Sequence, residues 1–516
     1  MTAMHDPALP WLLDRVARHA QAAPARVAVS DGARTLDYGG LWRDARRFAA
    51  RLAALGVVRG DRLALILPNG FEAVVATYGG WLAGAIVVPL NAQAKARDFE
   101  PWLRHAGARV VVHEADHRDA GLAVAALDPR PHVIATRGAS ADALAWDDAL
   151  AIEAAPPAPP SDADAPALIL YTSGTTGRPK GVVLSHANLG ANVQAIVAYL
   201  ELAANDSIVS VLPFYYSYGS SVLHTHLAAG ARVVLEANTV FPHLVVEAIA
   251  RERATGFSGV PSTFLLLLNR VTLADHDLSS LRYLTQAGGA MAPAVAARLR
   301  AALPRARLFV MYGQTEATAR LSYLPPERFD DKPGSVGVPV AGVEIEVRDE
   351  HGAALPADQV GEVHVRGPNV MRGYWQDPAL TAEVLAQGWL RTGDMGRLDA
   401  DGFLFLSGRR SDMIKTGAHR VHPQDIEEVI AELREVAEVA VVGVDDALLG
   451  QVIKACIVPV DGAEIVPDRI KAHCRERLAG YKIPKFVELL SALPKTASGK
   501  IRRADLGMPS TPGEVS

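Results

Sequence analysis

The sequence predicts an α/β protein: a large, multi-layer N-terminal domain of sheets and helices, followed by a small α+β domain. Three observations predict it. Short apolar runs alternate with helical patterns along most of the chain, the signature of layered sheets and helices. Beyond Gln424 the pattern changes to helix, strand, strand, helix within about a hundred residues, an ordinary domain size. The chain has 516 residues, enough for a large core and more than one domain.

Composition narrows the class. Hydrophobic residues make up 49% and charged residues 21%, as in an ordinary soluble globular protein. The net charge of −5 gives no basic footprint for nucleic acid. Cys456 and Cys474 are the only cysteines, too few for a disulfide framework and unclustered for zinc, so a reducing compartment such as the cytoplasm fits. Met1 to Pro10 has no basic region followed by an apolar run, so no signal peptide is expected. Phe71 to Leu90 is long and apolar enough to raise the question of a membrane span. It contains Glu72, Gly79, Gly80 and Gly84 and ends beside Pro89, so it reads as a buried helix and then a core strand, Ala85-Ile86-Val87-Val88.

The elements follow in order. Leu12, Leu13, Val16 and Ala17 recur at helical spacing between Pro10 and Ala20. Val27-Ala28-Val29 and Thr35-Leu36-Asp37-Tyr38 flank Asp31-Gly32 and predict a hairpin. Leu41 to Leu55 predicts a helix ended by Gly56. Arg62 to Leu67, Val110 to Val112 and Val133 to Ala135 predict strands. Ala154 to Pro166, rich in Ala, Pro and Asp, predicts a linker within the large domain.

Ala167-Leu168-Ile169-Leu170 predicts a buried strand. It leads into Tyr171-Thr172-Ser173-Gly174-Thr175-Thr176-Gly177-Arg178-Pro179-Lys180-Gly181, which packs hydroxyls, glycines and two cations together. Glycines let backbone N–H groups approach a ligand, and hydroxyls and Lys180 add donors suited to phosphate. The loop is not a Walker A motif. Ser185 or His186 then caps a helix running toward Tyr199.

Ile208 to Leu212 predicts a strand entering Pro213-Phe214-Tyr215-Tyr216-Ser217-Tyr218-Gly219. His224 and His226 have no third ligand nearby and read as core or surface histidines rather than a metal pair. Gly256-Phe257-Ser258-Gly259-Val260-Pro261 and Tyr283-Leu284-Thr285-Gln286-Ala287-Gly288-Gly289-Ala290 are strands ending in glycine-containing turns, where open α/β sheets bind ligands. Leu308 to Met311 continues into Tyr312-Gly313-Gln314-Thr315-Glu316, where a carboxylate after a buried strand calls for a partner. Thr392-Gly393-Asp394 reads as a turn, and Gly402 to Leu406 as a hairpin strand running into Ser407-Gly408-Arg409-Arg410-Ser411-Asp412. A helix from Gln424 to Leu433, strands at Val439 to Val444 and Val452 to Val460, and a helix from Pro467 to Leu478 complete the small domain. Pro494 to Ile501 is a polar stretch carrying Lys500, and the tail from Gly507 to Ser516 reads as disordered.

Taken together and in order, these motifs resemble the adenylate-forming superfamily of acyl-CoA synthetases, carrier-protein adenylation domains and luciferases, and most of all the acyl-CoA synthetases. The resemblance spans about Pro10 to Arg503. It implies a large domain over residues 1–410 that binds carboxylate and ATP. It also implies a mobile small domain over 411–516 with a hinge near Ser411, where relatives carry Asp or Lys. It implies that Thr172, Ser173, Gly174, Thr175, Thr176, Gly177 and Lys180 grip phosphates and that Gly288, Gly289 and Ala290 border the adenine. In Tyr312, Gly313, Gln314, Thr315 and Glu316 it implies adenine stacking, a phosphate contact and, at Glu316, a magnesium ligand. Asp394 is implied on the ribose, Arg409 on ribose or phosphate, and Lys415 at the nucleotide site. The catalytic candidates are Lys500, Lys180, Glu316 and Thr172.

The acid pocket is expected from Tyr216, Ser217, Tyr218, Gly219, Ser258, Gly259, Val260, Gln286 and Met311, with Tyr216 where relatives often have histidine. The segment around Tyr216 has no Asp to hold an amino group, so the expected substrate is an aliphatic or aryl acid rather than an α-amino acid. Gly417, Ala418, His419 and Arg420 are expected beside the thiol channel, with Ala418 where relatives have glycine. The implied activity is an AMP-forming acid–thiol ligase using ATP, magnesium and coenzyme A. The alternative acceptor is a carrier protein's phosphopantetheine thiol. A binding protein that kept the fold without catalysis is disfavoured by Lys180, Lys500, Glu316 and Asp394 together. No nucleic acid and no transmembrane segment are expected, and the chain is expected to be a monomer or homodimer.

Overall fold

The structure is a computed structural model that describes residues 10–138, 142–172, 179–236, 241–416, 419–446, 450–496 and 501–507. Two large sheets organise the N-terminal domain; among the described residues one has nine strands and the other eight. In the first, Arg232–Leu235, Ser207–Ser210, Gly256–Gly259, Tyr283–Gln286 and Arg307–Tyr312 lie side by side and parallel. Side chains alternate across a strand, so each strand feeds two cores. Ile208, Tyr283 and Phe309 enter the core shared with the other sheet, whereas Val209, Phe257, Leu284 and Leu308 enter an outer one. This two-sided burial is why these runs are apolar without a break.

The eight-stranded sheet repeats the logic. Ile86–Pro89, Arg62–Ile66, Ala108–Glu114 and His132–Thr136 run parallel. Leu63, Leu65 and Val110 join the shared core; Ala64, Ile66 and Val111 face outward. Helices Tyr38–Ala54, Phe71–Leu82 and Ser217–Ala229 contribute Leu41, Phe48, Tyr78, Trp81 and Leu223 to the shared core. Phe99 and Leu103 cover the outside of one sheet, and Phe264, Leu267 and Leu299 the outside of the other. The result is five layers: helix, sheet, helix, sheet, helix. The Phe71–Leu82 helix with the Ile86–Pro89 strand is thus the expected buried pair. Among the described residues no helix is long and apolar enough to cross a membrane.

The Ser217–Ala229 helix is buried along nearly its whole length. His224 and His226 lie in it as core residues. Tyr78 Oη lies 3.1 Å from His224 Nδ1, and His226 Nε2 lies 2.6 Å from Tyr283 Oη. Burial lowers their pKa values to about 3 and about 4, so both are neutral. Among the described residues no cluster of side chains could hold a metal through histidine, cysteine and carboxylate alone.

Ser185 caps the helix His186–Leu200, as expected; before it the chain returns as the strand Lys180–Ser185, antiparallel to Pro166–Thr172, which was not expected from the sequence. Two local expectations are corrected. Thr392-Gly393-Asp394 is not a turn but lies inside the strand Trp389–Leu398, because residues on both sides pair in an antiparallel sheet with Gly361–Arg366 and Leu404–Arg409. The second helix starts at Tyr38 rather than Leu41, because the Asp37 carboxylate accepts the Gly40 N–H at 2.6 Å and caps it there.

The small C-terminal domain has five strands among the described residues: His419–Val421, Ile414–Thr416, Gly450–Pro459, Val436–Asp446 and Phe486–Leu489. Helices Pro423–Ile430 and Pro467–Arg477 bury Ile426, Ile430, Ile470 and Cys474 against Val441, Ile453 and Ile457. Cys456 and Cys474 are both free and buried, and burial pushes each thiol up to about 11. Of the tail expected to be disordered from Gly507 to Ser516, residues 508–516 lie outside the described residues.

Candidate active site

The parallel strands of the nine-stranded sheet all end on one side, and the segments that follow Ser207–Ser210, Gly256–Gly259, Tyr283–Gln286 and Arg307–Tyr312 meet in one cleft of about 1280 Å³. The C-terminal ends of parallel strands are where such sheets place ligands. Tyr216 to Gly219, Val260, Gln286, Gly288 to Ala290 and Met311 to Glu316 all line it. Thr172 and Lys180 also line it; they face each other across the antiparallel pair that frames the glycine-rich loop. Ser173, Gly174, Thr175, Thr176 and Gly177 lie outside the described residues.

At one end the polar groups are already paired. Asp394 is 7% exposed. Tyr312 Oη donates to its Oδ2 at 2.6 Å, and Arg409 Nε lies 3.2 Å from its Oδ1. Burial, then the Asp394 charge, pushes the Tyr312 hydroxyl well above its ordinary range, so it stays protonated and donates. Arg409 is held charged chiefly by Asp394. Register explains the pairing: Asp394 and Arg409 are direct cross-strand partners. Glu316 sits on the short turn Thr315–Ala317 after the strand carrying Tyr312. Tyr374 Oη donates to its Oε1 at 3.0 Å, and among the described residues Oε2 has no hydrogen-bond partner. Thr315 Oγ1 lies 3.2 Å from Ser217 Oγ.

The floor between the ends is close-fitting backbone. A Cβ at Gly313 would stand 1.9 Å from the Ala319 carbonyl oxygen, so no side chain fits there. Gly288 takes φ +88°, a conformation that glycine adopts at low cost. Gln286 Nε2 donates to the Gly289 carbonyl at 2.8 Å and closes this turn. Among the described residues Gln286 Oε1 and Gln314 Nε2 are buried without a hydrogen-bond partner. Such atoms are costly to leave unmade and mark places for a ligand or water.

Not every expected residue reaches the cleft. Ser258 is buried beneath it, its Oγ 2.6 Å from Thr285 Oγ1, and Gly259 is packed against Thr263 and Phe264. Both are corrected from wall to support, because their strand stops before it reaches the surface. The small domain presents Gln424, Glu428, Val439, Thr496, Ile501 and Arg503 to the cleft. Lys500 lies outside the described residues, between Thr496 and Ile501. Lys415 and His419 do not line the cleft; His419 stacks on Tyr481 with ring centroids 4.0 Å apart. Gly417 and Ala418 lie outside the described residues, and Arg420 is on the strand His419–Val421.

Sequence reasoning missed two residues. Tyr374 meets Glu316 from 58 positions away, a separation that carries no spacing signal. Arg320 is a lone cation four residues after Glu316 in an otherwise small and apolar stretch. That contrast was its visible signal.

The chain matches the AMP-binding enzyme family over residues 16–375, and the C-terminal domain of that family over residues 425–500. It belongs to this family of adenylate-forming enzymes. It is 36% identical over 493 residues to a feruloyl-CoA synthase from Amycolatopsis sp, covering 95% of this chain and 97% of that protein. It is 34% identical over 513 residues to an oxalate–CoA ligase from Arabidopsis thaliana, covering 97% and 98%. Among solved structures, an anthranilate CoA ligase in complex with anthranoyl-AMP superposes with a TM-score of 0.89 at 28% identity over 98% of both chains.

Proposed function

We propose that this cleft joins an aryl or aliphatic carboxylic acid to coenzyme A in two steps at the expense of one ATP. In the first, the acid's carboxylate attacks the α-phosphorus of ATP, giving acyl-AMP and pyrophosphate. In the second, the thiol of coenzyme A attacks the acyl carbon and AMP leaves. The chain is an AMP-forming acid–thiol ligase, consistent with the CoA ligases it resembles across their whole length. One observation carries the residue assignment: Asp394 with Tyr312 and Arg409, Glu316 with Tyr374, and the pair Thr172 and Lys180 all face one cleft.

Asp394 accepts the ribose hydroxyls, its carboxylate aimed by the Tyr312 hydroxyl and neutralised by Arg409. Lys180 and the loop it closes steady the phosphates, because bringing two anions together needs gathered positive charge. Gln314 offers an unsatisfied polar atom near the base-binding turn at Gly288 to Ala290, and Gln286 Oε1 offers one toward the acid pocket. Glu316 suits magnesium: its free Oε2 is a hard oxygen donor, and one carboxylate with phosphate oxygens meets that ion's preference. Magnesium, when bound, neutralises phosphate charge and polarises the group under attack. Lys500 reaches the attacking carboxylate and the α-phosphoryl oxygens from the small domain. Thr496 and Ile501, which flank residues 497–500 in the chain, line the cleft, which supports that reach.

The hairpin around His419 faces elsewhere in this arrangement, which supports a rotation between half-reactions. The hinge is at Ser411, in the short turn Arg410–Asp412 that joins the domains. The test is pyrophosphate release over a panel of aryl and aliphatic acids with Mg·ATP, followed by thioester analysis with coenzyme A and with a phosphopantetheinylated carrier protein. Acid-dependent pyrophosphate and acyl-CoA are expected. No acid-dependent release, or loading of the carrier with no acyl-CoA, contradicts the adenylation or the acceptor assignment respectively.

A further inference from the structure

The acid end of the cleft holds a cation that the reaction so far leaves without a task. Arg320 is 2% exposed. Its guanidinium lies over the Tyr218 ring, 4.3 Å from the centroid, and both residues line the cleft. Its Nε donates to Met311 Sδ at 3.2 Å and its Nη1 to its neighbour's carbonyl, Ala319 O, at 3.3 Å. None of these acceptors, nor the Tyr199 hydroxyl that also meets the Arg320 side chain, carries a negative charge. Among the described residues no carboxylate forms an ion pair with it. A buried charge is costly unless paired, and a ring face with uncharged acceptors replaces only part of the lost hydration.

The backbone is also strained to hold it there. Thr318 and Ala319 take φ +57° and +97°, left-handed values that non-glycine residues rarely adopt. Asn369 and Asn192 enforce this turn: their side-chain amides donate to Arg320 O at 2.7 and 2.9 Å, and Thr318 Oγ1 donates to Asn369 O at 2.6 Å. Burial without a counterion and an enforced turn are two separate features that bring one guanidinium to the wall built by Tyr218 and Met311.

We propose that Arg320 receives a second carboxylate at the far end of the substrate, so that the acids activated are dicarboxylic. The guanidinium supplies a planar fork that matches a carboxylate, which a lone-pair acceptor such as a thioether does not satisfy. This rests on the reading of the cleft as an acid-activating site. Arg320 acts on which acid is chosen and has no part in nucleotide binding.

The experiment compares matched acids: glutarate and adipate against pentanoate and hexanoate, and terephthalate against 4-methylbenzoate. Pyrophosphate release gives kcat/KM for each, in the wild type, Arg320→Met and Arg320→Lys. In the wild type at least one dicarboxylate is expected to exceed its methyl-ended counterpart by about tenfold or more, as for a buried charged hydrogen bond. Arg320→Met is expected to reverse that ratio, Arg320→Lys to restore part of it, and Mg·ATP affinity to stay unchanged in both. A wild-type preference for the methyl-ended acids, or a ratio that Arg320→Met leaves alone, overturns the proposal. If Arg320→Met does not fold, the wild-type ratio decides alone. Failure of the acid-activating reading looks different: no acid of either series, or of a broader panel, raises pyrophosphate release.

Discussion

The two ends of the cleft are built differently. At the nucleotide end each carboxylate already has a hydrogen-bonding partner: Asp394 has Tyr312 and Arg409, and Glu316 has Tyr374. At the acid end Gln286 Oε1 lacks a hydrogen-bond partner among the described residues, and Arg320 has only uncharged neighbours: a ring, a sulfur, a carbonyl and a hydroxyl. The first end is preorganised, so its groups need little rearrangement to grip a ligand that is the same in every turnover. The second leaves polar capacity unfilled, which is how a pocket discriminates among acids: an unpaired buried group penalises the substrate that cannot satisfy it.

The largest expected effect tests where the two ends meet. Lys500→Ala is expected to slow adenylation by about 10²–10³, the cost of losing one positioned transition-state donor. Supplied with preformed acyl-adenylate and coenzyme A, the same variant is expected to make thioester near the wild-type rate. Equal loss of both half-reactions in a folded protein breaks the division of labour between the domains.

A second effect separates the ends by pH. The helix Ser217–Ala229 starts at the acid pocket and is anchored by His224 and His226, held neutral by burial at about 3 and about 4. In the unfolded chain these groups protonate near 6.5. Their lowered folded values therefore make stability full above about pH 6.5 and falling as pH drops toward those values. His224→Gln is expected to lose about 2 kcal/mol less stability than the wild type between pH 7 and pH 5, measured by urea denaturation. An identical loss removes His224 from the account. Smaller still is Tyr312→Phe, which keeps the ring and removes one donor to Asp394. It is expected to weaken Mg·ATP binding by about 1 kcal/mol while leaving the preference among acids unchanged.

The same contrast decides how much could be read from the sequence. The nucleotide end lies in short contiguous strings, Tyr312 to Glu316 and Thr392 to Asp394, so its members were visible side by side. The layers were legible because buried parallel strands are written as unbroken apolar runs. The strand Lys180–Ser185 was hidden because Ser185 closes it and caps the next helix at once, and the cap is the stronger local signal. The acid end draws on the ends of four separate strands. Register, not spacing, decided that Met311 reaches the cleft and Ser258 stays beneath it. Arg320 was visible only as an arginine in the wrong company; its burial depends on Asn192 and Asn369, far away in the chain.

The most direct test of a preformed nucleotide end and a selective acid end is calorimetric titration of Mg·ATP in the absence of any acid. Wild type and Arg320→Met are expected to bind with the same affinity, and Asp394→Ala about 1–3 kcal/mol more weakly with its near-ultraviolet circular dichroism intact. A folded Asp394→Ala that binds ATP as the wild type does would contradict the account, as would an Arg320→Met that loses ATP affinity.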